Sequence, residues 1–70
     1  DMSAQFIELL RADTQQALFV RKTSIIAIEP VNLPEHPYVR IRLVSGQEYL
    51  LLDDCDKLLS AIGDVDETNR

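Results

Sequence analysis

The stretch from Tyr38 to Asp53 constrains this chain more than any other. Val39, Ile41 and Leu43 alternate with Arg40 and Arg42, the period of two that marks a strand with one buried face. Ser45-Gly46 then signals a turn, and Glu48-Tyr49-Leu50-Leu51-Leu52 supplies the returning strand. Two registers compete. A two-residue Ser45-Gly46 loop sets Leu43 opposite Glu48 and brings a carboxylate to the core face. A three-residue loop, Val44-Ser45-Gly46, puts Gly46 in the left-handed region and pairs Arg42 with Glu48, Ile41 with Tyr49 and Val39 with Leu51. The second register joins opposite charges on one face and apolar groups on the other, so it is preferred. It also leaves Leu50 beside Arg40 and Arg42, with Leu52 further along. That second face is therefore partly apolar and calls for a cover, either the terminal helix or another chain.

Length sets the scale of everything else. Seventy residues and 8.0 kDa make one small domain, and a chain of this size buries only roughly 60% of its unfolded surface. A single cysteine, Cys55, excludes an internal disulfide, and one cysteine with one histidine excludes a zinc finger or ribbon. No run of 18 apolar residues and no signal peptide is present, which reads as a soluble, cytoplasmic chain without membrane insertion.

Upstream, Ile25-Ile26-Ala27-Ile28 is β-branched, and the strand is expected to stop at Glu29-Pro30, where proline removes a donor. Pro30, Pro34 and Pro37 then bracket a long, stiff connection, with Leu33, Glu35 and His36 as a candidate recognition loop. Residues 3–18 read either as a helix capped by Ser3 or as two strands. A helix would put Asp13 on the stripe of Phe6, Leu9, Leu10 and Ala17, so two strands around an Asp13–Gln16 turn are preferred. Arg21-Lys22-Thr23-Ser24 is a short polar turn. At the end of the chain, Asp53 or Asp54 caps a helix whose apolar stripe is Leu58, Leu59 and Ile62, with Gly63 as its stop. The expected fold is mainly β with one C-terminal helix (α+β): a five-strand antiparallel meander or barrel-like sheet closed by that helix. Residues 1–63 form the domain and 64–70 an acidic, frayed tail.

With those elements in order, the chain resembles a known family. Phe19 to Glu29 looks like the FlbD family of small flagellar-operon proteins, which have an aromatic strand, a polar turn and an "I-x-x-I-E" strand. Arg42 to Leu51 is similar to that family's "L-T-N-G-K-x-Y-V-V" hairpin, and Cys55 to Ile62 resembles its terminal helix. The likeness spans about residues 6–62. It departs in the Pro30–Pro37 segment, longer than the family's connection, and in Arg21-Lys22-Thr23, where the family has "N-P-D". The resemblance implies a non-enzymatic accessory protein that acts by contact with partners.

Charge and motifs narrow the function classes. Residues 1–47 carry five acids and five bases, whereas residues 48–70 carry seven acids against Lys57 and Arg70, which accounts for the net −5. Such a balance makes nucleic acid an unfavourable partner, because its recognition rests on neutralising phosphates. The alternative reading keeps it open through Arg21, Lys22, Arg40 and Arg42, with Tyr38 or Tyr49 stacking on bases. Asp53, Asp54 and Asp56 lack the spacing of a calcium loop and serve helix capping. Cys55 lies among carboxylates that oppose a thiolate, and His36, the one histidine able to activate it, sits in the proline segment. Two glycines, Gly46 and Gly63, leave no phosphate-cradling loop. No catalytic residue, metal ligand or cofactor is expected. The leading expectation is a homo-oligomeric protein-interaction module with Leu50, Leu52, Leu58, Leu59, Arg40 and Arg42 as its surface.

Overall fold

The computed structural model describes residues 5–67, with side chains to residue 63. Five strands run in the expected order: β1 (Phe6–Leu10), β2 (Ala17–Arg21), β3 (Ile25–Asn32), β4 (Pro37–Leu43) and β5 (Glu48–Leu51), followed by helix α1 (Cys55–Glu67). A single turn of 3-10 helix at Lys22–Ser24 links β2 to β3. The mainly β reading with one terminal helix therefore holds.

The strands do not form one closed sheet. β1 and β2 make a two-stranded hairpin, and β3, β4 and β5 make a three-stranded sheet in that order. One bridge, between Arg11 and Leu51, connects them. Around it Ala12 N–H donates to Leu50 O at 2.9 Å, Leu52 N–H to Leu10 O at 2.8 Å, and Leu10 N–H to Asp53 Oδ1 at 2.7 Å. Neither β2 nor β3 has a strand partner on its outer side among the described residues. The described residues thus form two antiparallel sheets joined at one bridge and not a closed barrel.

The β4–β5 hairpin adopts the three-residue register. Arg42 faces Glu48, Ile41 faces Tyr49 and Val39 faces Leu51, with Gly46 at φ 99°. Leu43 and Gln47 close the loop through a 2.8 Å bond, and Arg42 Nη2 lies 2.7 Å from Glu48 Oε2.

Pro30 does not end β3. The strand continues to Asn32, paired to Pro37 across the ladder. Leu33 and His36 exchange hydrogen bonds at 3.2 and 3.3 Å, so the connection is a tight tip around Pro34 and Glu35, not the long, stiff connection expected between Pro30 and Pro37. Alternation along an antiparallel ladder then puts Asn32–Pro37 and Pro30–Val39 at sites where backbone groups point away from the partner strand. Pro30 turns its missing donor to the open edge of β3. Pro37 turns its own past the end of β5. Neither proline removes a ladder bond, which is why both are tolerated.

The inner faces of the two sheets meet over a small core of Leu9, Val20, Val39, Ile41 and Leu51, with Leu58 inserted from α1. Ile7, Leu18, Ile28, Tyr49, Cys55 and Ile62 pack around it. Asp54 caps the helix by accepting Asp56 N–H on Oδ1 at 2.9 Å. α1 runs through Gly63 to Glu67, so the expected stop at Gly63 is absent. The first four residues of the expected tail thereby continue the helix backbone, and residues 68–70 lie outside the described range.

Candidate interaction surfaces

The expected interaction residues separate into four places. Leu58 is only 2% exposed and belongs to the core, so it cannot serve a surface. Helical spacing explains the error: Cys55, Leu58 and Ile62 project inward at positions i, i+3 and i+7, and Leu59 falls one step around the helix. Leu59 is 49% exposed.

Arg40 and Arg42 lie on the outer face of the three-stranded sheet and are engaged there. Arg40 Nε is 3.2 Å from Glu29 Oε1, and Arg42 pairs with Glu48 as above. Arg21 donates to Gln5 Oε1 at 2.6 Å and stacks over the Phe6 ring at 5.0 Å from its centroid. Lys22 occupies the 3-10 turn. Two of the four bases proposed to meet phosphate therefore already face carboxylates.

Leu50 shares a pocket of about 350 Å³ with Leu33 and Glu35 of the β3–β4 tip, bounded by Tyr38, Tyr49 and Arg11. Arg11 forms its wall by pairing with Asp13 at 2.7 Å and standing 5.1 Å from the Tyr49 ring centroid. Arg11 holds the Asp13 carboxyl below its ordinary range, chiefly through their side-chain hydrogen bond, and Asp13 raises Arg11 in return. The β3–β4 tip, expected to serve recognition, and the second face of β5 are thus neighbours, a relation the sequence did not disclose.

Leu52, Leu59 and His36 line a second, larger groove of about 720 Å³ between the start of α1 and the β3–β4 tip. Ile28, Pro30 and Pro37 contribute its sheet side, and Asp53, Asp54 and Asp56 its helix side. The His36 ring tilts against Tyr38 at a centroid distance of 5.1 Å. Cys55 lines the same groove as His36, and no hydrogen bond joins them among the described residues. Among those residues, no group of three or more His, Cys, Asp or Glu side chains is placed to hold a metal. Among the described residues, no helix is long and apolar enough to cross a membrane.

One surface was missed altogether. The β1–β2 register pairs Phe6 with Arg21, Glu8 with Phe19 and Leu10 with Ala17, so these six residues share the outer face of the hairpin. Phe19 is 63% exposed, Leu10 41% and Phe6 40%. A signal was available. Phe6-Ile7 and Ala17-Leu18-Phe19-Val20 are apolar at consecutive positions, which makes a strand apolar on both faces. Compared with known protein families, with characterised proteins and with solved structures, the chain shows no match.

Proposed function

We propose that this chain is a small non-enzymatic protein-interaction module that associates with a second copy through the outer face of the β1–β2 hairpin and the open edge of β2. The observation that carries this reading is that Phe6, Leu10 and Phe19 are exposed on one strand face, beside a β2 edge that has no strand partner among the described residues. Large apolar groups exposed on one strand face and unpaired edges are both features that soluble chains otherwise suppress.

The backbone pattern supports a specific pairing. Arg11 N–H donates to Gln16 O at 3.0 Å, which makes Arg11–Gln16 a hydrogen-bonded pair. By alternation, Leu18 and Val20 bond inward to β1, and Ala17, Phe19 and Arg21 turn their N–H and C=O groups to the open edge. A two-fold axis at Phe19 pairs β2 with its copy, with Phe19 against Phe19 and Ala17 against Arg21. Such a junction forms about six backbone hydrogen bonds and sets no like charges opposite each other. It is isologous, the commonest arrangement for a homodimer. The FlbD-like resemblance, which implies action by contact, points to the same class of role. This reading takes the cytoplasm as its compartment, on the ground of the lone thiol of Cys55.

Light scattering at two protein concentrations tests it. The expected mass is twice 8.0 kDa, falling to one chain in Phe19→Asp with unchanged far-UV circular dichroism. A wild-type monomer at micromolar concentration overturns the reading.

A further inference from the structure

The groove between α1 and the β3–β4 tip shares no lining residue with the outer hairpin face and has a different character. Its sheet side carries Ile28, Pro30 and Pro37 beside the polar Asn32, and Leu52 and Leu59 continue the apolar lining toward the helix. Its rim carries Asp53, Asp54 and Asp56, none of which forms an ion pair among the described residues, although Arg11, Arg40 and Arg42 all do. Two of the three carboxylates are held in position. Asp53 Oδ1 accepts Leu10 N–H and Asp54 Oδ1 accepts Asp56 N–H, each committing one oxygen and leaving the other open to a partner. Among the described residues His36 is the one basic side chain lining the groove. Lys57 shares a neighbouring pocket with Asp53 and Asp54, beside Ile7 and Glu8, without forming an ion pair to either.

We propose that this groove docks a short basic segment of a partner protein. An apolar side chain of the segment enters between Leu59 and Ile28, and flanking Lys or Arg residues meet Asp53, Asp54 and Asp56. Charge complementarity selects this occupant. The acids along the rim, three of the chain's twelve, repel nucleic-acid phosphates and acidic peptides. The volume suits one or two side chains of a peptide and lies in the usual range for ligand clefts, about 300–1,000 Å³. The apolar lining provides burial, and fixed carboxylates around it provide orientation.

The probe is a fluorescein-labelled peptide of about eight residues, with two leucines flanked by lysines, titrated by fluorescence anisotropy. It is run on the wild type and on Phe19→Asp, so that failure of self-association and failure of docking are read separately. Saturable binding is expected in both, with amide shifts at Ile28, His36 and Leu59 and none at Phe19. Asp56→Asn and Leu59→Ala are each expected to weaken binding about fivefold, the scale of one exposed charge contact or one half-buried leucine. Ser45→Lys changes net charge by the same amount as Asp56→Asn but lies at the opposite end of the sheet, and is expected to stay within about twofold. Equal weakening by Ser45→Lys overturns the proposal in favour of long-range attraction. Equal binding of a peptide with glutamates in place of the lysines, or preference for single-stranded RNA, overturns it too.

Discussion

Replacing Leu58 with alanine tests the helix docking on which the core depends. Leu58 is 2% exposed and enters a cluster formed by Leu9, Val20, Val39, Ile41 and Leu51. The change deletes three carbons, about 2.4 kcal/mol at ~0.8 kcal/mol per buried methylene. The cavity left behind adds on the order of 1 kcal/mol, since the surroundings relax only in part. The expected loss is therefore about 3 to 3.5 kcal/mol. A domain of 70 residues has a total stability of only about 3.5–10 kcal/mol, at ~0.05–0.15 kcal/mol per residue. Leu59→Ala is the internal control, because Leu59 is 49% exposed and its truncation is expected to cost about 1 kcal/mol or less. Urea denaturation followed by far-UV circular dichroism separates the two. With a slope near ~1 kcal/mol per molar, Leu58→Ala lowers the midpoint by about 3 M and Leu59→Ala by about 1 M or less. Both variants are compared at one protein concentration, because any dissociation is linked to unfolding. A midpoint shift for Leu59→Ala equal to or larger than that for Leu58→Ala would refute the helix phase described above.

Three further substitutions follow from local geometry. Gln15 holds φ 59° in the β1–β2 turn, so Gln15→Gly is expected to raise stability by about 0.5–1 kcal/mol in thermal unfolding, by relieving left-handed strain. Gly46 holds φ 99° with open space around it, so Gly46→Ala is expected to cost about 1–2 kcal/mol through backbone conformation alone, with no clash visible in the hairpin amide shifts. The Asp13 carboxyl is expected to titrate below its usual 3.8 in carboxyl-carbon NMR, and to return toward that value in Arg11→Met. Its contribution to folding is present above the ordinary carboxylate range and is lost as pH falls through the lowered folded value. An acid limb that is unchanged in Arg11→Met would show that the pair does not act on stability.

Legibility in the sequence varied with the physics that decides each feature. The β4–β5 register was readable because three constraints coincide in one short segment: alternation, a glycine that needs a positive φ, and an Arg–Glu cross-strand pair. The first hairpin was readable because a helix would have turned Asp13 onto its apolar stripe. Pro30 was misread since a proline's effect depends on whether its strand is central or at an edge, which is a property of the assembled sheet. Gly63 was misread for a related reason, since an interior glycine costs a helix only ~1 kcal/mol and need not stop it. Leu58 and Leu59 are chemically equivalent in sequence, and only the phase set by Cys55 and Ile62 against the sheet distinguishes them. Of the candidate surfaces, Leu50, Leu52, Leu59, Leu33 and His36 do line pockets. Their division between two separate sites depends on the β3–β4 tip folding back as a tight turn. The outer face of β1–β2 escaped notice because strands apolar on both sides look, residue by residue, like fully buried ones.

The orientation of Pro30 decides what kind of assembly the chain can build. A molecule with two competent strand edges can add copies at both ends and grow into an open fibre. Here β2 offers one edge with donors and acceptors in place. β3 offers the other, with a donor missing at Pro30 in the middle of the strand. Growth through β3 is therefore broken at its centre, and the chain is left with a single usable edge. In the dimer proposed above, pairing through β2 would use that edge up in both copies, and association would stop at two. On that proposal, Pro30 would limit growth of the assembly at the β3 edge.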